Sequence, residues 1–143
     1  MDTLFMKTPH YFLLEGKTRI QPSVASDLSG PGYCVFYAFS DKPQYDLFQV
    51  NSNRALVPYP LVSTFLTQCM AIPDCEEHLL VIDAVTPDDA VLHAATMRAV
   101  LSSLGSRTER VDISFDLTKH DGDADYAVAK SKDNQHSSSA ISS

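Results

Sequence analysis

Three carboxylates open the question of chemistry. Asp83, Asp88 and Asp89 follow the apolar run Leu79-Leu80-Val81-Ile82, where a buried strand should end and the next element begin. Open α/β sheets present ligands at the carboxyl ends of their strands, and three acids there could hold Mg²⁺ through oxygen ligands, with His78 beside them. Two of the three have another reason to be present. Acids in the first turn of a helix satisfy free N–H groups and complement the helix dipole, which accounts for Asp88 and Asp89 without any ligand.

Other clusters are less complete. Asp121-Gly122-Asp123-Ala124-Asp125 begins like a calcium loop, but Tyr126 stands where the turn needs Gly and Lys132 where a bidentate Glu belongs. His78 and His93 could meet if strand and helix pack, yet two imidazoles without a third ligand or an orienting acid make neither a zinc site nor a catalytic unit. His10, His120 and His136 have no nucleophile motif around them: the chain contains no Gly-x-Ser-x-Gly, Gly-rich phosphate loop or His-Glu-x-x-His. Cys34, Cys69 and Cys75 form no Cys-x-x-Cys pair, and their odd number suggests buried free thiols rather than a disulfide framework. Cys75 lies among Asp74, Glu76 and Glu77, whose charge raises a thiol pKa and so works against nucleophilic use. No catalytic residue, metal site or cofactor is implied.

The elements that would position these residues can be read from periodicity. His10 to Ile20 is a first strand, with Gly16 marking a bulge. Pro22 to Gly32 is a long polar loop. Tyr33 to Phe39 is a dense β-forming run. Tyr45–Val50 and Arg54–Val57 flank Asn51-Ser52-Asn53, a turn able to place an Asn in the left-handed region, and predict a hairpin that makes the first half an antiparallel meander. Leu61, Phe65, Cys69 and Ile72 recur at helical spacing and predict a helix over about 60–71. Leu79–Ala84 has the composition of a strand buried on both faces.

Thr86-Pro87-Asp88-Asp89 combines an N-cap, an N1 proline and first-turn acids, so a second helix should start there, with its stripe through Ala90, Ala94, Met97, Leu101 and Leu104 and its stop at Gly105. Val111, Ile113, Phe115 and Leu117 alternate with polar residues as a half-exposed strand. The sum is an α+β fold: a two-layer sandwich with a mixed sheet, an antiparallel meander followed by α-β-α-β, and two helices packed on it. It fills residues 1–119, and residues 120–143 form an acidic, Ser-rich disordered tail. About residues 59 to 117, this order resembles the periplasmic domains of proton-channel accessory proteins, which end in strand–helix–strand with an acid after the first strand; the likeness is one of pattern and implies no membership.

Within the strongest strand, Tyr33, Tyr37 and Phe39 share one face and Cys34, Phe36 and Ala38 the other. If helices cover one face only, Tyr33, Tyr37 and Phe39 are either covered by the N-terminal segment and the 21–32 loop or form a partner-binding surface. The bulk composition favours the interaction reading. Eighteen acidic residues against eleven basic give a net charge of −7, negative on both sides of residue 119, which repels a phosphate backbone and suits steering toward a basic protein surface. The longest apolar run falls far short of the roughly 20 residues of a membrane span, and Pro9 interrupts any signal core, so a cytoplasmic location is expected. The expected function is a non-catalytic protein–protein interaction module, a small acidic regulator, inhibitor or assembly factor, with a homodimer as one arrangement and no direct contact with nucleic acid or membrane. The alternative is a small ligand- or metal-binding enzyme using Asp83, Asp88, Asp89 and His78. A third use, of the Ser-rich tail as a targeting signal, rests on composition alone.

Overall fold

The computed structural model describes residues 4–25, 32–72, 75–120 and 122–131. Its centre is a five-stranded mixed sheet, in the order β10-β9-β7-β6-β4, built from β4 (Gly32–Ala38), β6 (Cys75–Ile82), β7 (Val91–Thr96), β9 (Phe115–Thr118) and β10 (Ala127–Lys130). β4 and β6 run parallel, and every other pairing is antiparallel. The α+β class and the mixed sheet expected from the sequence are therefore what the chain forms. A second sheet joins β2 (Tyr11–Glu15) to β3 (Thr18–Arg19) and β5 (Val57–Pro60), and β1 (Phe5–Lys7) pairs with β8 (Arg110–Asp112).

Three helices are present among the described residues rather than two, and the additional one corrects the meander. Residues 45–50 belong to α1 (Lys42–Ser52), not to a hairpin strand. Pro43 stands in the first turn, where its missing N–H is not needed, and Asn53 ends the helix in the left-handed region with its N–H donated to the Gln49 carbonyl at 3.1 Å. Asn53 adopts the left-handed conformation its sequence allows, but as a helix cap. With α1 in place, Arg54–Val57 has no strand partner there, and β5 pairs instead with β2. Nor does Gly16 form a bulge: at φ +65° it leads a two-residue turn between β2 and β3, a position only glycine fills easily.

The helix expected from Thr86 is replaced by a turn and a strand. Asp88 donates its backbone N–H to the Thr86 hydroxyl at 3.0 Å and the Asp89 carboxylate accepts from Val85 N–H at 3.0 Å, so the capping chemistry closes the reversal between β6 and β7. The helix comes later, as α3 (Met97–Ser106), with the Thr96 hydroxyl accepting Ala99 N–H at 3.0 Å and Arg107 in the left-handed region as its stop; Gly105 lies within it. The resemblance to a strand–helix–strand ending fails at the same place, because β7 intervenes between β6 and α3. α2 (Ser63–Met70) falls inside the expected 60–71. The alternating run 111–117 is split at Ile113–Ser114 between β8 and β9, which serve different sheets.

Helices lie on both sides of the central sheet. On one side α1 inserts Tyr45 and Phe48 among Val35, Tyr37, Phe39, Leu79 and Val81. On the other, α2 and α3 bury Leu66, Met97 and Val100 against Ala38, Leu80, Ile82 and Ala95. The folded chain extends past residue 119: Tyr126 is fully buried, its hydroxyl donates toward the Asp89 and Pro87 carbonyls at 2.6 and 3.1 Å, and β10 extends the sheet because Val128 pairs with Leu117. Burial pushes the Tyr126 phenol up to about 12. The remainder of the expected tail, 132–143, lies outside the described residues. No helix is long and apolar enough to cross a membrane among those described.

Candidate functional site

The aromatic face of β4 is not an open surface. Tyr37 is 3% exposed and Phe39 fully buried, and both rings pack on Phe48 of α1, with centroids at 4.9 and 5.3 Å. Tyr33 is half-buried against Phe115, with centroids at 6.4 Å. Of the two alternatives, a covered face or an open one, the described residues give the covered face, with Tyr45 and Phe48 of α1 packed on it, so Tyr37 and Phe39 are core residues rather than contact residues.

The three acids do not form a cation site either. Asp83 sits at the end of β6 at φ +55°, a conformation Asp tolerates better than most residues. Its two oxygens accept from the Ser40 backbone N–H and the Ser40 hydroxyl, each at 2.8 Å, which ties the ends of the two parallel strands together. Burial raises its pKa, the Ser40 bonds oppose the rise, nearby Asp41 adds to it and Lys7 lowers it. Asp89 is occupied by the 85–89 turn, and Asp88 is exposed and 3.8 Å from Lys119. These are structural roles.

The histidines also separate. His93 bonds Asp116 at 3.0 Å across the β7–β9 pair, while His78 lies on β6 beside β4. Asp123 and Asp125 bond His120 N–H and the Ser23 hydroxyl, and Asp121, Lys132 and His136 lie outside the described residues. The reading of three free thiols is corrected: Cys34 and Cys75 form a disulfide, because parallel pairing of β4 with β6 brings two residues 41 apart in sequence to a Cα separation of 5.9 Å. Cys69 is free and buried, and burial pushes its thiol pKa up.

A site the sequence did not announce forms around Arg19. Its guanidinium carbon lies 3.7 Å from the centroid of the Phe65 ring, 5.1 Å from Phe12 and 5.4 Å from Tyr59, a cage supplied by α2, β2 and β5. Its Nε is buried with no hydrogen-bond partner among the described residues, and none of their ion pairs involves it. Aromatic faces stabilise the charge but cannot accept the N–H in the plane of the fork. An unmet donor of this kind costs about 1–3 kcal/mol, more when charged. The cage opens on a cavity of about 360 Å³ lined by Tyr59, Pro60, Val62, Phe65 and Gln68 together with Arg19.

Val57, Tyr59 and Val62 are exposed at this surface, at 58%, 45% and 46%. β5 is also an edge strand. Leu61 N–H donates to the His10 carbonyl at 2.8 Å, so by strand alternation the positions of Pro58 and Pro60 face outward and carry no N–H. The edge therefore resists extension by another strand and offers side chains instead. The signal that could have found the site was a single arginine between Thr18 and Ile20, which is weak until the three rings are placed around it. Comparison with protein-family models, curated proteins and solved structures finds no match to this chain.

Proposed function

We propose that the chain is a non-catalytic interaction module that holds an apolar peptide segment of another protein at the β5–α2 surface, with Arg19 receiving a carboxylate of that segment. The observation that supports this most is the Arg19 guanidinium, which has no ion-pair partner among the described residues and is caged by three rings at the mouth of an apolar cavity. A carboxylate accepts two parallel N–H bonds from such a fork, and the aromatic and proline walls suit apolar flanking residues. The rest of the partner is expected to be basic, since the chain carries −7 overall. A regulator, inhibitor or assembly factor of cytoplasmic location fits this reading. The alternative of a ligand site at Asp83 has less behind it, because both carboxylate oxygens already accept from Ser40.

The test is fluorescence polarisation with short peptides carrying one Asp or Glu between Leu and Phe, beside their Asn or Gln counterparts. Loss of charge-assisted hydrogen bonds worth about 1.5–3 kcal/mol predicts at least roughly tenfold weaker binding for Arg19→Met and for the amide peptides. Equal binding of acidic and amide peptides, or of wild type and Arg19→Met, contradicts the proposal. Sedimentation run in parallel asks whether a second copy occupies the surface; a dimer dispersed by Tyr59→Asp would replace the peptide reading with self-association.

A further inference from the structure

We infer that Cys34, Cys75 and His78 are a thiol-gated site for a thiophilic divalent cation, with zinc as its natural occupant. Cys34 and His78 are register partners across the parallel β4–β6 pair, and the irregularity between Gly32 and Tyr33 turns Cys75, at the start of β6, to the same place. One ligand atom from each of the three lies within 4.8 Å of the others, and all three residues are half-buried. Among the described residues this is the one group of three or more His, Cys, Asp or Glu side chains gathered so closely. His78 contributes a second, independent sign: its Nε2 is buried with no hydrogen-bond partner among the described residues. An imidazole with a ring nitrogen unmet, on a residue gathered with two cysteines, has the chemistry of a ligand.

The donor set suits zinc. Two thiolates and a neutral imidazole are three of the four ligands of a tetrahedral site. Cys75 and His78 line a cleft of about 580 Å³ that also receives Glu77, Met70 and Arg98. Water from that cleft can complete the shell; Glu77 pairs with Tyr33, on the opposite face of the strand from His78, and stands outside the cluster. The Arg98 cation opposes metal binding, and two thiolates outweigh it in charge.

The gate is the disulfide, because the same two sulfurs cannot be bonded to each other and to a metal. A dithiol reductant supplies two electrons and two protons: its thiolate attacks one sulfur, the S–S bond breaks, and its second thiol resolves the mixed disulfide to leave Cys34 and Cys75 as thiols and the reductant oxidised. Zinc then displaces both thiol protons to solvent, and His78 binds through its lone pair with no change in charge. The inference shares no residue with the Arg19 cage and stands or falls separately.

The full chain, reduced with a dithiol and freed of it without air, is titrated with Zn²⁺ against a chromophoric chelator, and with Co²⁺ to read thiolate-to-metal absorption. One equivalent should bind the reduced chain at least 100-fold more tightly than the oxidised chain. His78→Gln should weaken binding at least tenfold, the Cys34→Ser/Cys75→Ser pair should remove it, and Cys69→Ser should leave it unchanged. Equal affinity before and after reduction, zinc retained by the double serine variant, or Co²⁺ bound without thiolate absorption would each overturn the inference. Circular dichroism accompanies every sample: a reduced chain that unfolds and is not restored by zinc also overturns it, and if the double variant does not fold, His78→Gln decides.

Discussion

Truncating Phe48 tests whether α1 is the element that closes the aromatic face. In a helix, Tyr45 and Phe48 share a face and Val50 points away; in a strand, Phe48 and Val50 would share one and Tyr45 would oppose them. The structure buries Phe48 completely and Tyr45 almost so, and leaves Val50 77% exposed. Removing a fully buried phenyl ring costs about 3–5 kcal/mol, and the tilted contacts with Tyr37 and Phe39 add to the upper part of that range. Against a total of about 5–15 kcal/mol for a domain, Phe48→Ala should remove about a fifth of the stability or more. Urea unfolding followed by circular dichroism measures it, with the slope unchanged if the unfolded state is the same. Tyr45→Ala should also cost at least about 1 kcal/mol and Val50→Ala less than about 0.5 kcal/mol. A Val50→Ala loss matching that of Phe48→Ala, with Tyr45→Ala neutral, would restore the hairpin and refute the helix.

Further outcomes follow from the contacts around the sheet. Asp83→Ala should destabilise by about 2–3 kcal/mol, since alanine resists the left-handed backbone and Ser40, itself buried, loses the acceptor of its N–H; unchanged urea midpoints would contradict this. Because burial raises the Asp83 pKa in the fold, its neutral form favours the native state. Its stabilising contribution is thus complete below the unfolded pKa and lost as pH rises through the folded value, and denaturation across that acid range should show wild type declining relative to Asp83→Asn. Tyr126→Phe should cost about 1–2 kcal/mol by leaving the Pro87 and Asp89 carbonyls short of a donor, and hydrogen exchange should quicken first in the 86–89 turn and β10.

What the sequence revealed depended on whether the signal was local. β4 was legible because its aromatic and β-branched density and its alternation are properties of one segment, and the faces assigned to Tyr33, Tyr37 and Phe39 against Phe36 and Ala38 are those of the two cores. The stripe of α2 was legible for the same reason. The segment 45–50 was misread because Tyr, Phe and Val favour strands locally, while burial of Phe48 against β4 decides for helix. Thr86-Pro87-Asp88-Asp89 misled because the hydrogen bonds that cap a helix also close a turn between antiparallel strands. Arg19, and the Cys34–Cys75–His78 group, were out of reach: their partners come from elements whose pairing is set by the fold alone.

The most direct measurement of the interaction reading is ¹⁵N–¹H correlation spectroscopy of the Arg19 Nε–H during titration with the carboxylate-bearing apolar peptide. The Nε–H resonance should shift downfield and saturate together with the amides of Tyr59 and Phe65, with no comparable change at Asp83. An Arg19 Nε–H that stays in place while the peptide perturbs another surface, or no saturable shift at any concentration, would contradict it.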